Sequence, residues 1–247
     1  MQRWYPLPTA VYSLVEKTPG TVLLESARAG NAAGYSRLFC SPARIVTASD
    51  TQSLDDLFEQ VESALDRGHL AAGYFSYECG NCFEPRASLR PAPPGQPLAW
   101  FGIYPHCYVF DHSEGRFAGS GPPELANVTL DGPPEPALAM DVRAGLSQTE
   151  YAARVATIHG LIRAGDVYQL NFTFPLRFQV QGSAAALYAA LRGRQPVDYG
   201  AFLHGDPGCM VLSFSPELFF QIDTEGSKSR IVTRPMKGTA RRDDPAL

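Results

Sequence analysis

Tyr168-Gln-Leu-Asn-Phe-Thr-Phe-Pro-Leu-Arg-Phe-Gln-Val180 alternates apolar and polar side chains along its length. Tyr168, Leu170, Phe172, Phe174, Leu176, Phe178 and Val180 form one set, and Gln169, Asn171, Thr173, Arg177 and Gln179 the other. A period of two is the signature of a half-buried strand. Pro175 interrupts the polar set and predicts a bulge or an edge position there. Two readings of the polar face stand side by side. It faces solvent, or its amides, hydroxyl and guanidinium line a polar pocket.

Working outward, the periods change. Upstream, Ser147-Gln-Thr-Glu150 has the spacing of a capping box, in which serine and glutamate each satisfy a free amide of the first turn. It predicts a helix with Tyr151, Val155, Ile158 and Ile162 on one face, stopped by Gly165. Downstream come a short helix over 183–194 and strand-like runs over 199–203, 209–214 and 218–222. A turn at 224–228 leads into a fourth strand, 230–234. In the first half, 1–40 reads as short strands, with 21–26 a buried one, and 70–77 reads as another. Leu54, Leu57, Phe58, Val61 and Leu65 have helical spacing, with Ser53 as N-cap and Gly68 as stop. The stretch 91–97 is a proline-rich loop, and 100–110 reads as one strand ending in a turn at 111–115. Glycine and proline crowd 119–136, which marks a linker. The expected division is an amino-terminal region 1–118, a linker 119–140, and the start of a second region at 141–247.

Composition bounds the class. The chain has 247 residues, 45% of them hydrophobic and 19% charged, with a formal net charge of −4. An acidic balance argues against sequence-blind nucleic-acid binding, which needs a basic footprint. No run approaches the ~18 apolar residues of a membrane span, and Met1 to Pro8 does not read as a targeting segment. The expectation is a cytoplasmic protein without nucleic-acid or membrane partners. Five cysteines do not make a disulfide scaffold. Cys79-Gly-Asn-Cys82 is a CxxC pair with no second pair to complete a zinc site, so reduced thiols in a turn are expected.

One pair of residues has the makings of chemistry. If Ser227 is the centre of the last hairpin, Glu217 and Lys237 are equidistant from it. They become cross-strand neighbours with Cβ atoms ~5 Å apart. A carboxylate beside an amine suits acid–base work next to a nucleophile. A free lysine has a pKa of ~10.4, and burial generates the neutral amine by lowering it. Gly238 lets a ligand or backbone approach closely. The same spacing also fits an exposed cross-strand ion pair.

Three blocks, Gly165-Asp-Val-Tyr-Gln-Leu-Asn-Phe-Thr173, Ser213-Phe-Ser-Pro-Glu-Leu-Phe219 and Arg234-Pro-Met-Lys-Gly-Thr239, resemble successive blocks of the chorismate-utilising enzymes. Leu23-Leu-Glu-Ser-Ala27 and Gly73-Tyr-Phe-Ser-Tyr-Glu78 resemble amino-terminal blocks of the same family. It includes component I of anthranilate synthase and of aminodeoxychorismate synthase, and the isochorismate synthases. The resemblance implies an α+β fold of large antiparallel sheets with outer helices. Lysine at position 237 is the pattern of the aminodeoxychorismate synthases, where the other members usually carry alanine. It implies Lys237 as covalent nucleophile, Glu217 as general acid, and Gly238 and Thr239 against the substrate. It further implies chorismate as substrate, Mg2+ as cofactor, ammonia from a glutamine amidotransferase subunit, and a product for para-aminobenzoate and folate synthesis.

Some members hold tryptophan in an amino-terminal pocket. The matching positions are Ser26, Tyr35, Ser36, Arg37, Leu38, Asp198, Tyr199 and Gly200. Where the family has Pro-Tyr or Pro-Phe, this chain has Asp198-Tyr199. Members run to about twice this length, more than a single domain. The Mg2+ ligands and most contacts to the substrate carboxylates are then expected in a carboxy-terminal half outside this sequence, and these residues alone are expected to be catalytically incompetent. An anthranilate synthase-like enzyme is the second reading. A non-catalytic piece that binds tryptophan or the amidotransferase is the third.

Overall fold

Strand parity sorts the side chains into layers. The computed structural model describes residues 3–27, 34–84, 86, 91–128, 136–205, 208–226 and 228–236. In β5 (Ala99–Tyr104), Trp100 and Tyr104 enter one core while Ala99 and Ile103 enter another. Successive side chains of a strand point to opposite faces, so one strand serves two cores. The same division runs through β1 (Val22–Glu25), where Val22 joins Trp100 and Leu23 turns away.

The strands form two main sheets, antiparallel throughout. The larger has the order β11-β10-β1-β2-β6-β7, with β2 at Tyr35–Phe39, β6 at Tyr108–Asp111, β7 at Arg116–Phe117, β10 at Tyr199–His204 and β11 at Met210–Ser215. The smaller has the order β3-β5-β4, with β3 at Arg44–Ala48 and β4 at Leu70–Phe75. Val22, Phe39, Ala72, Trp100, Tyr104 and Leu203 pack between them. Outside the larger sheet, α1 (Thr9–Lys17) and α5 (Ala184–Arg194) cover Leu23, Leu38, Phe110 and Phe202. Outside the smaller, α2 (Thr51–Asp66) lays Leu54, Leu57 and Ala64 on Val46, Ala99 and Ile103. The result is an α+β fold with antiparallel sheets inside and helices outside, as the resemblance implies.

Several local expectations are corrected. Within 1–40, expected as short strands, Thr9–Lys17 is the helix α1, which buries Val11, Tyr12, Leu14 and Val15 on one side. The 100–110 run is two strands in different sheets, β5 and β6, with Pro105 between them; proline has no N–H to continue a ladder. The N-cap of α2 is Asp50, whose carboxylate accepts the Ser53 N–H at 2.8 Å. Ser53 is its reciprocal partner, accepting the Asp50 N–H at 3.0 Å. Of the alternating stretch that opens the sequence reading, only β9 (Leu176–Gln181), after Pro175, is a strand. Its partner is β8 (Leu138–Ala144), and the Pro175 carbonyl accepts the Gly145 N–H at 2.8 Å. Residues 168–174 belong to no strand ladder among the described residues and take no regular structure. The capping box of α4 (Gln148–Ala164) forms as expected, with Gly165 left-handed at φ 83°.

The larger sheet takes strands from both sides of the expected linker, since β10 pairs directly with β1. Within that linker, Pro123–Asn127 forms a 3-10 turn, and Leu125 and Val128 pack on the α1 core. The two-stranded pairs β8–β9 and β12–β13 (Leu218–Glu225 and Lys228–Arg234) belong to neither main sheet. Their apolar residues stand in solvent, among them Phe178, Phe219, Ile222 and Ile231. No helix among the described residues is long and apolar enough to cross a membrane.

Candidate active site

The Ser-Pro-Glu block forms the crossing between a main sheet and a hairpin. β11 ends at Ser215, and Pro216 denies the ladder its next donor. The Ser215 hydroxyl donates to the Glu217 carbonyl at 3.0 Å and accepts the Glu217 N–H at 3.4 Å, which closes the turn. Glu217 itself is exposed. β12 begins at the next residue and runs antiparallel to β13.

The hairpin register differs from the expected one. Glu225 pairs with Lys228, one residue out of the register that symmetry about Ser227 requires. A shift between Leu218 and Gln221 then sets Leu218 opposite Arg234. Leu218 and Arg234 are the last pair of this ladder, and continued by one step that register would set Pro235 opposite Glu217. The ladder still brings the two blocks side by side, because Leu218 follows Glu217 and Arg234 opens the lysine block. Lys237, Gly238 and Thr239 lie outside the described residues.

The positions matched to the amino-terminal pocket are brought together. Gly200 faces Glu25 across β10–β1, and Arg37 and Leu38 face Leu24 and Leu23 across β2–β1. The Ser26 N–H donates to the Ser36 hydroxyl at 3.1 Å. Ala27 N–H donates to the Val197 carbonyl at 2.8 Å, which places Asp198 and Tyr199 beside the end of β1. Tyr35 is exposed at the start of β2, away from the buried Ser36.

Below this cluster lies a buried network that the sequence reading missed. Glu25 Oε1 accepts from the Tyr12 hydroxyl at 2.9 Å and from Arg192 Nε at 2.7 Å. Burial, then the Glu25 charge, pushes the phenols of Tyr12 and Tyr188 up, so both stay neutral donors. The available signal is an acid inside the apolar run Leu23-Leu-Glu-Ser-Ala27, since a buried carboxylate needs a cation or several donors. Glu25 Oε2, Ser26 Oγ and Arg192 Nη2 are buried and have no hydrogen-bond partner among the described residues.

His112 ties the edge of this cluster to the chain's start. Its Nδ1 lies 2.7 Å from the Tyr5 carbonyl and its Nε2 2.7 Å from the Ser36 hydroxyl. A carbonyl only accepts, so Nδ1 carries the proton and Nε2 accepts from Ser36, which describes a neutral imidazole. Trp4 stacks on it at 4.2 Å. Burial depresses the His112 pKa; the Tyr5 bond and the Glu25 and Asp111 charges oppose this without reversing it. The unfolded chain therefore binds a proton that the folded chain refuses. This contribution to stability is complete above the ordinary histidine value of ~6.5 and is lost as pH falls towards the depressed pKa. The urea midpoint should drop between pH 7 and pH 5, and His112→Gln should flatten that part of the curve. An unchanged slope in the variant would assign the effect elsewhere.

No group of three or more His, Cys, Asp or Glu among the described residues could hold a metal ion.

A family model described as chorismate binding enzyme matches residues 21–246. Anthranilate synthase component 1 of Thermus thermophilus is 30% identical over 268 residues, covering 94% of this chain and 56% of that protein. An aminodeoxychorismate synthase of Streptomyces pristinaespiralis is 36% identical over 101 residues, covering 41% of this chain and 14% of that protein. The crystal structure of anthranilate synthase component I from Streptococcus pneumoniae superposes with a TM-score of 0.59 at 20% identity, covering 81% of this chain and 54% of that one. The chain thus spans little more than half the length of the first of these relatives.

Proposed function

The chain belongs to the family of chorismate-binding enzymes, and on that premise we propose that it forms part of an aminodeoxychorismate synthase. The observation that carries this reading is lysine at position 237, in an Arg-Pro-Met-Lys-Gly-Thr block whose first residue pairs beside the Ser-Pro-Glu crossing. The Lys237 amine attacks C2 of chorismate. The double bonds shift, and the C4 hydroxyl leaves as water with a proton from Glu217. Ammonia then adds at C4, the double bonds shift back, and the lysine departs from C2. The net change is chorismate plus ammonia to aminodeoxychorismate plus water. Ammonia comes from a glutamine amidotransferase subunit, and Gly238 and Thr239 lie along the substrate.

A second reading is an anthranilate-forming enzyme. It is favoured by the relatives, several of which are named anthranilate synthase. Product analysis separates the two. The whole protein with chorismate, ammonium and Mg2+ should release aminodeoxychorismate without pyruvate. Release of anthranilate and pyruvate would establish the second reading instead.

We further propose that the cluster around Ser26, Ser36, Arg37, Leu38 and Gly200 takes tryptophan as an effector, with Tyr35, Asp198 and Tyr199 at its margin. The buried polar atoms left over on Glu25, Ser26 and Arg192 support it. A calorimetric titration with tryptophan that shows no heat and no shift in melting temperature would dismiss it.

A further inference from the structure

We propose that Cys79 and Cys82 form an oxidisable dithiol that closes reversibly to a disulfide under peroxide. Cys79 ends the 3-10 turn Tyr77–Cys79 and leads into α3 (Gly80–Phe83), with φ −55° and ψ −27°. Gly80 continues the same conformation, with φ −54° and ψ −26°. On such a turn, side chains three apart share a face, with Cβ atoms ~5–6 Å apart. A disulfide needs Cβ atoms ~3.5–4.5 Å apart. Closure therefore asks for a movement of about 1–2 Å, taken up within a single helical turn.

Packing agrees with the backbone. Cys79 is buried among Leu54, Leu57 and Ala99, and Cys82 packs against the same cluster while staying partly exposed. The two thiols therefore converge on one core, and one of them is open to solvent. Burial, then the charge of Cys82, raises the Cys79 pKa, so the two sulfurs lie within electrostatic reach of each other. Both are free thiols in this structure. Cys40 is buried in a different core, where desolvation pushes its thiol up to about 12.

The division of labour follows from exposure. Peroxide meets the partly exposed Cys82 sulfur first: an S–O bond forms, the O–O bond breaks, and the departing oxygen leaves as water with the thiol proton. Cys79, the shielded partner, then gives up its proton to the sulfenic oxygen as its sulfur attacks the sulfenic sulfur. The S–S bond forms, the S–O bond breaks, and the departing oxygen leaves as water with the thiol proton. Two thiols and one hydrogen peroxide become one disulfide and two waters. A thiol reductant reverses the closure by exchange. The pair belongs to the α2 layer.

The test is thiol mapping on the full chain. The protein is exposed to hydrogen peroxide, quenched, denatured in N-ethylmaleimide and digested for mass analysis. The expected peptide carries no label on Cys79 or Cys82, weighs two hydrogens less than its reduced form, and accepts two labels after dithiothreitol. Cys82→Ser should leave Cys79 fully labelled, and Cys79→Ser should strand Cys82 as sulfenic or sulfinic acid. Three results in the wild-type chain would overturn the proposal. They are sulfinic acid on Cys82 with Cys79 still labelled, both thiols still labelled at a dose that oxidises methionine, or a bridge from either residue to another cysteine.

Discussion

Arg192→Met is expected to destabilise the fold by about 3–5 kcal/mol, read as a lower urea midpoint with an unchanged slope. Glu25 is fully buried and Arg192 nearly so, with side-chain exposures of 0% and 18%. Taking both charges out of water is costly, and their mutual attraction offsets that cost only while both are present. Methionine keeps much of the arginine stem, so packing against α1 and β1 is disturbed little. What remains is a buried carboxylate beside the neutral phenols of Tyr12 and Tyr188, with its guanidinium lost. Adding Glu25→Gln to the variant should recover part of the loss, because a neutral amide is cheaper to bury and still accepts from Tyr12. A single variant within about 1 kcal/mol of the parent would show that the network carries no such weight.

Gly73→Ala should be at least as damaging, at about 4 kcal/mol or more, with most of the protein insoluble. Gly73 lies on β4 and pairs with Phe101 of β5, the central strand of the smaller sheet. A Cβ there would collide with the Trp100 carbonyl oxygen and sit 2.7 Å from Phe101 Cα. These are backbone atoms of a buried strand, so no side chain can swing aside. Relief requires β4 to separate from β5, which opens the core around Trp100 and Tyr104. Gly160 supplies the control. It lies in α4 with open space where a Cβ would be, so Gly160→Ala should stabilise by up to ~1 kcal/mol. Equal melting temperatures for the two variants would contradict this reading of the sheet.

These residues also show what a sequence reveals and what it withholds. The apolar spacing from Leu54 to Leu65 was enough to place α2, because a helix writes its buried face into local periodicity. Which of Asp50 and Ser53 caps it was not, because the two satisfy each other and only the chain's entry direction decides. The residues from Tyr168 to Phe174 alternate as well as those of β9, but a strand needs a partner, and only the part after Pro175 has one in β8. The acid in Leu23-Leu-Glu-Ser-Ala27 was visible as an anomaly. Its cation lies on a helix far along the chain, and local spacing cannot point to it. In the last hairpin, symmetry about Ser227 identified the right two strands. The ladder starts one residue out of that symmetry at Glu225 and Lys228 and shifts by one more near Leu218, and neither step is visible in composition.

That displacement leaves the proposed chemistry resting on Lys237 itself. The most direct measurement is mass mapping of the whole protein, acid-quenched after incubation with chorismate and Mg2+ in the absence of ammonia. The account predicts an adduct of chorismate less water on the peptide containing Lys237, its disappearance when ammonium is added, and neither adduct nor aminodeoxychorismate from Lys237→Ala. Aminodeoxychorismate formed by Lys237→Ala at the parental rate, with no adduct on the parent, would contradict it.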